Sequence, residues 1–182
     1  LAMEIFKIYK FLNKNPAFVR KPYRYVNDEI EMLKKFGKIF TLKDRASSIS
    51  SLINSKFDVA ILDDGFQDFS IKSNFSILCF SSKQLIGNGL TIPSGPLREN
   101  LSSIKRANCI FINGDKNLDF ENKIKNINSK IKIFCSKYKI KNLDKFLNKK
   151  VVAFAGIGNP HNFFDLLKEN NITIKKTISF PD

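Results

Sequence analysis

Residues 59–62, Val-Ala-Ile-Leu, end abruptly in Asp63 and Asp64, with Gly65 behind them. An aliphatic run with no polar alternation is what a strand buried on both faces needs, and such strands belong to parallel sheets covered by helices. In that architecture, acids placed directly after a strand arrive at the carboxyl edge of the sheet, where open α/β folds bind ligands. Farther along, GNGLTIPSGPLREN carries Gly87, Gly89, Gly95, Pro93 and Pro96 and closes on Arg98 and Glu99. Long loops so punctuated are functional or disordered, and the Arg-Glu pair favours function. The stretch 57–99 is therefore the part the rest of the chain is read as supporting.

Around it, short β-rich runs alternate with helical ones, which predicts an α/β fold with a mainly parallel sheet covered on both faces. Strands are expected at 38–42, 59–62, 76–80, 109–113, 151–155 (as a buried strand) and 173–179. Helices are expected at 1–12, from an Asn27 cap to Gly37, from an Asp44 cap through Ile53, and briefly at 101–107. The Lys/Asn-rich stretch 115–150 reads as peripheral helix, strand and helix. Gly156 and Gly158 make a strand-to-helix turn, Asn159 caps, and Pro160 takes the first helical position. The GxG there is weak evidence for phosphate binding.

With 182 residues, 43% of them hydrophobic, the chain can bury a core in one domain or in one domain with a small appendage. Cys79, Cys109 and Cys135 each sit in an apolar run without CxxC spacing, so they read as reduced core thiols and not as metal ligands. His161 is the single histidine, which excludes a histidine-rich metal site. It is expected to be an exposed first-turn residue. The net charge of +14 raises nucleic-acid binding, yet the lysines are scattered through an Asn- and Ile-rich background with no recognition motif. An anionic lipid surface or a phosphorylated glycolipid answers the same charge. Neither a signal peptide nor an apolar run of about twenty residues is present, so these residues are not expected to span a membrane.

Several residues carry two readings. Asp63 and Asp64 suit a magnesium ion beside nucleotide phosphates, because that hard cation takes carboxylate oxygens, and they equally suit a polar turn closing a strand. Asp28 and Glu29 fit the positively polarised first turn of a helix with no function attached. Arg20, Lys21 and Arg24 can meet phosphates or form a solvated basic loop. Arg98 can grip phosphate through a bidentate guanidinium, and Glu99 can orient it.

Taken together, DDGFQ followed by GNGLTIPSGPLREN resembles the tetraacyldisaccharide 4'-kinases, the lipid A kinases of Gram-negative bacteria. Their pattern there is close to DDG-aromatic/Leu-Gln-His and then GNG...P-Ala/Ser-GPLRE. AGIGNPHNFF at 155–164 and FPD at 180–182 follow in the family's order. The resemblance covers nearly the whole chain. It implies a P-loop kinase core over 1–145, without its first strand and phosphate loop, and part of a smaller α/β domain over 146–182, the boundary falling near 140–150. It also implies transfer of the γ-phosphate of ATP, with magnesium, to the 4'-hydroxyl of a tetraacylated glucosamine disaccharide 1-phosphate at the cytoplasmic face of the inner membrane.

On that resemblance Asp28 is the base towards the sugar hydroxyl. Asp63 and Asp64 serve magnesium, Asp64 also serving the attacking group and Asp63 the nucleotide with Arg45. Glu29, Arg20, Gln67, Asn88, Arg98 and Glu99 contact substrate. The departures are Lys21-Pro22 where a glycine is usual beside Arg20 and Tyr23, Asp68 where a histidine is usual, and the absence from these residues of a Gly-Lys-Thr loop and of a histidine after Asp182. They lead to the expectation that this chain alone is an inactive, truncated form whose sheet has an uncovered edge. The alternatives are a noncatalytic remnant and a basic module for nucleic acid or anionic lipid.

Overall fold

A computed structural model describes residues 1–22 and 27–181. Tyr23, Arg24, the side chain of Asn27 and Asp182 lie outside the described residues, and with them the expected Asn27 cap and the last residue of the FPD motif. Two compact units are present, one made of Leu1–Leu78 with Gly89–Asn108 and the other of Cys79–Asn88 with Cys109–Asp182.

At the centre of the first unit is a strand absent from the sequence reading. Pro16–Val19 (β1), all four residues buried, lies between Ile39–Phe40 (β2) and Val59–Leu62 (β3), parallel to both. Four residues are too few to show a period, and a leading proline argues against a central strand. Here Pro16 is the first residue of the strand, where its missing N–H is tolerated. Arg20, read as a phosphate contact or as part of a solvated basic loop, is consequently the residue that leaves the central strand. The strand expected at 38–42 shortens to its second and third residues.

Helices cover both faces of this sheet, as expected. Ala2–Phe11 (α1) places Phe6 on Phe18, the rings stacked at 4.8 Å, with Leu33 of Asn27–Lys34 (α2) and Ile61 completing the cluster. On the other face Leu52 of Arg45–Asn54 (α3) packs with Ala17, Val19 and Phe40. Asp44 caps α3, accepting the Ser47 amide at 2.7 Å. Gly37 follows α2 where the chain runs against Phe6: an added Cβ would stand 2.2 Å from that ring, so the position excludes a side chain.

In the second unit Cys109–Asn113 (β5) is central between Ile77–Ser81 (β4), whose first residues belong to the first unit, and Lys132–Ser136 (β6). β5 and β6 run parallel, Ile110 opposite Ile133. Leu118–Ile127 (α4) buries Phe120 and Ile124, so the stretch read as peripheral supplies core residues; its low apolar fraction hides two well-spaced anchors. Cys109 is buried on the central strand, but Cys79 and Cys135, also read as core thiols, are exposed on the flanking strands β4 and β6.

Lys150–Ala155 (β7), Pro160–Glu169 (α5) and Thr173–Ser179 (β8) form a parallel β-α-β unit. Ala153, Phe164, Leu167 and Ile172 make its core. β7 is present but not the buried strand expected: Val152 and Phe154 are 51% and 67% exposed, because α5 packs against one face of a two-stranded sheet. Pro160 opens α5, whereas Asn159 makes no side-chain cap. His161 is exposed in the first turn of α5. Among the described residues no helix is long and apolar enough to cross a membrane.

Candidate active site

The site grows from the register of the sheet. Val19 of β1 stands opposite Leu62 of β3, so the next residues, Arg20 and Asp63, leave the carboxyl edge side by side, and the Asp63 amide still donates to the Val19 carbonyl at 3.3 Å. Arg20 is 8% exposed and donates to two carboxylates, from Nη1 to Asp63 Oδ2 at 2.8 Å and from Nη2 to Glu29 Oε2. It therefore ties the first turn of α2 to the edge of the sheet. Asp28, the preceding residue on that turn, is exposed.

Asp64 adopts the left-handed conformation, φ 54, which turns the chain sharply out of β3. Its carboxylate pairs with Arg98, brought in by the glycine- and proline-rich loop. That loop folds back on itself, the Ile92 amide donating to the Leu97 carbonyl at 2.9 Å and the Leu97 amide to the Leu90 carbonyl at 3.2 Å. Loop closure is what places Arg98 and Glu99.

Arg45, 4% exposed at the start of α3, is the second buried guanidinium. It donates to the carbonyl oxygens of Asp63 at 3.3 Å and Asp64 at 2.7 Å and to Asp68 Oδ2 at 3.0 Å, which fixes the backbone of the aspartate pair. Asp68, where a histidine was expected from the family pattern, completes an ion pair that neutral imidazole would not supply. The Ser70 hydroxyl and then Arg45 hold its carboxyl below the ordinary value of 3.8.

The Nε atoms of Arg20 and Arg45 and Glu99 Oε1 are buried without a hydrogen-bond partner. Orphaned buried polar atoms are uncommon outside sites that accept a ligand or water. Gln67 is half-buried in the same loop as Asp64. Of the expected residues, Arg20, Glu29, Asp63, Asp64, Arg45, Gln67, Arg98 and Glu99 belong to the first unit together with Asp28, while Asn88 belongs to the second.

Sequence reading missed Arg106. It ends the short 3₁₀ turn Leu101–Arg106, pairs with Glu99 at 2.5 Å, and lies between the rings of Phe66 and Phe69, its guanidinium carbon 4.5 and 4.4 Å from their centroids. Glu99 is thus held by Arg106 and not by Arg98, the partner first expected. The signal available was the pair of phenylalanines three residues apart in GFQDF.

Among the described residues no group of three or more His, Cys, Asp or Glu gathers as a metal cage. The oxygen-only pair Asp63 and Asp64 suits magnesium, which keeps much of its water and takes one or two carboxylates. One oxygen of each stands outside the ion pairs to Arg20 and Arg98.

Comparison with known proteins gives the same frame. The family model for tetraacyldisaccharide-1-P 4'-kinase matches residues 12–182. The tetraacyldisaccharide 4'-kinase of Pelagibacter ubique is 39% identical over 182 residues, covering 97% of this chain and 58% of that protein. The one from Rickettsia canadensis is 34% identical over 179 residues, covering 93% and 52%. This chain thus spans little more than half the length of those relatives. Among solved structures, LpxK from Aquifex aeolicus in complex with ATP aligns with all of this chain and 66% of its own, at a TM-score of 0.68 and 21% identity, a likeness that carries the fold. The match of the family model over nearly all the residues, with the two sequence relatives, places the chain in the tetraacyldisaccharide-1-P 4'-kinase family.

Proposed function

We propose that these residues form the acceptor-facing part of an ATP-dependent kinase site that phosphorylates the 4'-hydroxyl of a tetraacylated glucosamine disaccharide 1-phosphate. The carrying observation is the pair Asp63 and Asp64 at the carboxyl edge of a parallel sheet, each steadied by a different arginine and each keeping one oxygen outside its ion pair. Magnesium, held by those oxygens, would neutralise charge on the transferring phosphoryl group. Arg98, paired with Asp64 but with 59% of its side chain exposed, is read as the phosphate contact, and Arg45 keeps the aspartate backbone in place.

Asp28 accepts the proton from the sugar hydroxyl. Its turn is held to the sheet edge by the Arg20–Glu29 pair, which supports that reading. Gln67 and Glu99 are read as substrate contacts. The lipid substrate puts the working chain at the cytoplasmic face of the inner membrane, where the net charge of +14 favours an anionic surface. Residues 146–182 are read as part of a second, smaller α/β domain beside a core at 1–145, since β7, α5 and β8 close a hydrophobic cluster of their own reaching back to Ile140 and Leu143.

The test is γ-phosphate transfer from ATP to the micelle-dispersed disaccharide by the native polypeptide that carries these residues. Asp28→Asn is expected to lower kcat on the order of 10²-fold or more, with disaccharide binding retained. Full turnover by that variant, or no turnover by the native protein, overturns the reading.

A further inference from the structure

Glu99 and Arg106 make an arrangement that the phosphate chemistry above does not use. One carboxylate oxygen of Glu99 receives Arg106 Nη2 at 2.5 Å, and the other, Oε1, is buried with no partner. A buried carboxylate oxygen left without a donor is costly, on the order of 1–3 kcal/mol, unless something completes it. Arg106 in turn is held by two rings, its guanidinium carbon 4.5 Å from the Phe66 centroid and 4.4 Å from that of Phe69. Phe69 is 74% exposed, an unfavourable place for a phenyl ring, and its face meets the Arg106 guanidinium. Phe66 and Phe69 follow the aspartate pair, whereas Glu99 and Arg106 follow the proline-rich loop. The sandwich therefore clamps the two loops to each other.

We infer that Arg106, locked between Phe66 and Phe69, is a positioning residue that orients Glu99 so that Oε1 accepts a hydrogen bond from a hydroxyl or amide N–H of the sugar acceptor. This deepens the functional reading above and rests on it. Arg106 does not touch the acceptor; it acts through Glu99. A lysine would keep the charge but could neither fill the space between two rings nor present a planar fork.

The test is isothermal titration of the protein with the deacylated glucosamine disaccharide 1-phosphate, together with thermal unfolding of each variant. Arg106→Gln is expected to weaken binding about tenfold, as is Glu99→Gln, the loss of one positioned hydrogen bond. The double variant should bind no more weakly than Glu99→Gln alone, because the two residues act as one device. Phe69→Ala, at an exposed position that leaves the fold intact, should weaken binding about threefold. A purely structural Arg106 would lower the unfolding temperature and leave the affinity of the folded protein unchanged; that result overturns the inference, as do additive losses in the double variant. Binding by the unaltered protein and by Arg106→Gln alike overturns this inference alone. Absence of binding by the unaltered protein overturns the functional reading and this one with it.

Discussion

Asp68 is held in its ionised form by two neighbours of different kinds, a serine hydroxyl two residues on and the guanidinium of Arg45. Its carboxyl lies below the ordinary 3.8, with the Ser70 hydroxyl as the larger cause. For a carboxyl depressed in the folded state, the stabilisation is fully present above the unfolded value and is lost as pH falls through the lower folded value. Asp68→Asn should therefore cost stability at pH 6, and the gap from the unaltered protein should close as pH falls below about 3.8 towards the folded value. Urea midpoints at pH 6 and pH 3 measure it; a gap as wide at pH 3 as at pH 6 would show that Asp68 acts by packing and not by charge. The family pattern marks this position for its usual histidine, but sequence alone says nothing of Arg45 as its partner, because the two are 23 residues apart and meet only when α3 docks beside β3.

Whole elements turn on single residues at the edge of the sheet. Arg20 ends β1 and holds both Asp63 and Glu29, so the first turn of α2 is anchored through one guanidinium. α3 is anchored separately, by its Asp44 cap and by Leu52 in the core. Arg20→Met leaves two carboxylates without their buried partner, though each is partly solvated, and should cost about 2 kcal/mol. Amide hydrogen exchange should then quicken in α2 and stay slow in α3; equal loss of protection in both helices would show that Arg20 supports the sheet as a whole and not α2.

This division explains what sequence could and could not reveal. β3 was legible as a strand, since a four-residue aliphatic run without polar alternation reads as one buried on both faces, and Asp44 announced α3 by its cap. β1 was not, because PAFV is short, begins with proline and lacks a period; its centrality comes from pairing on both sides, a long-range fact. Arg106 was hidden for the same reason, its partners Phe66 and Phe69 being some forty residues upstream in the other loop.

At the scale of the molecule the two kinds of basic residue divide their work. Only five of the 31 basic residues are arginines, and the four among the described residues, Arg20, Arg45, Arg98 and Arg106, all stand in ion pairs with site carboxylates. The lysines are largely exposed along both units. Planar guanidinium suits fixed, desolvated pairing, and ammonium suits hydration. The excess charge therefore resides in exposed ammonium groups, and where these pair, as Lys7, Lys34, Lys83, Lys116 and Lys137 do, each meets a single carboxylate. Such charge attracts any polyanion by releasing counterions, and the attraction fades as salt rises. A basic module for nucleic acid would instead concentrate cations with aromatic platforms along one groove. The protein should therefore retain duplex DNA or single-stranded RNA at low salt and release both at about 0.15 M, where the screening length is about 8 Å. Fluorescence anisotropy across a salt series measures this. Binding that persists at physiological salt would mean that the lysines form an organised surface, and the nucleic-acid reading would then displace the kinase reading as the account of the +14 charge.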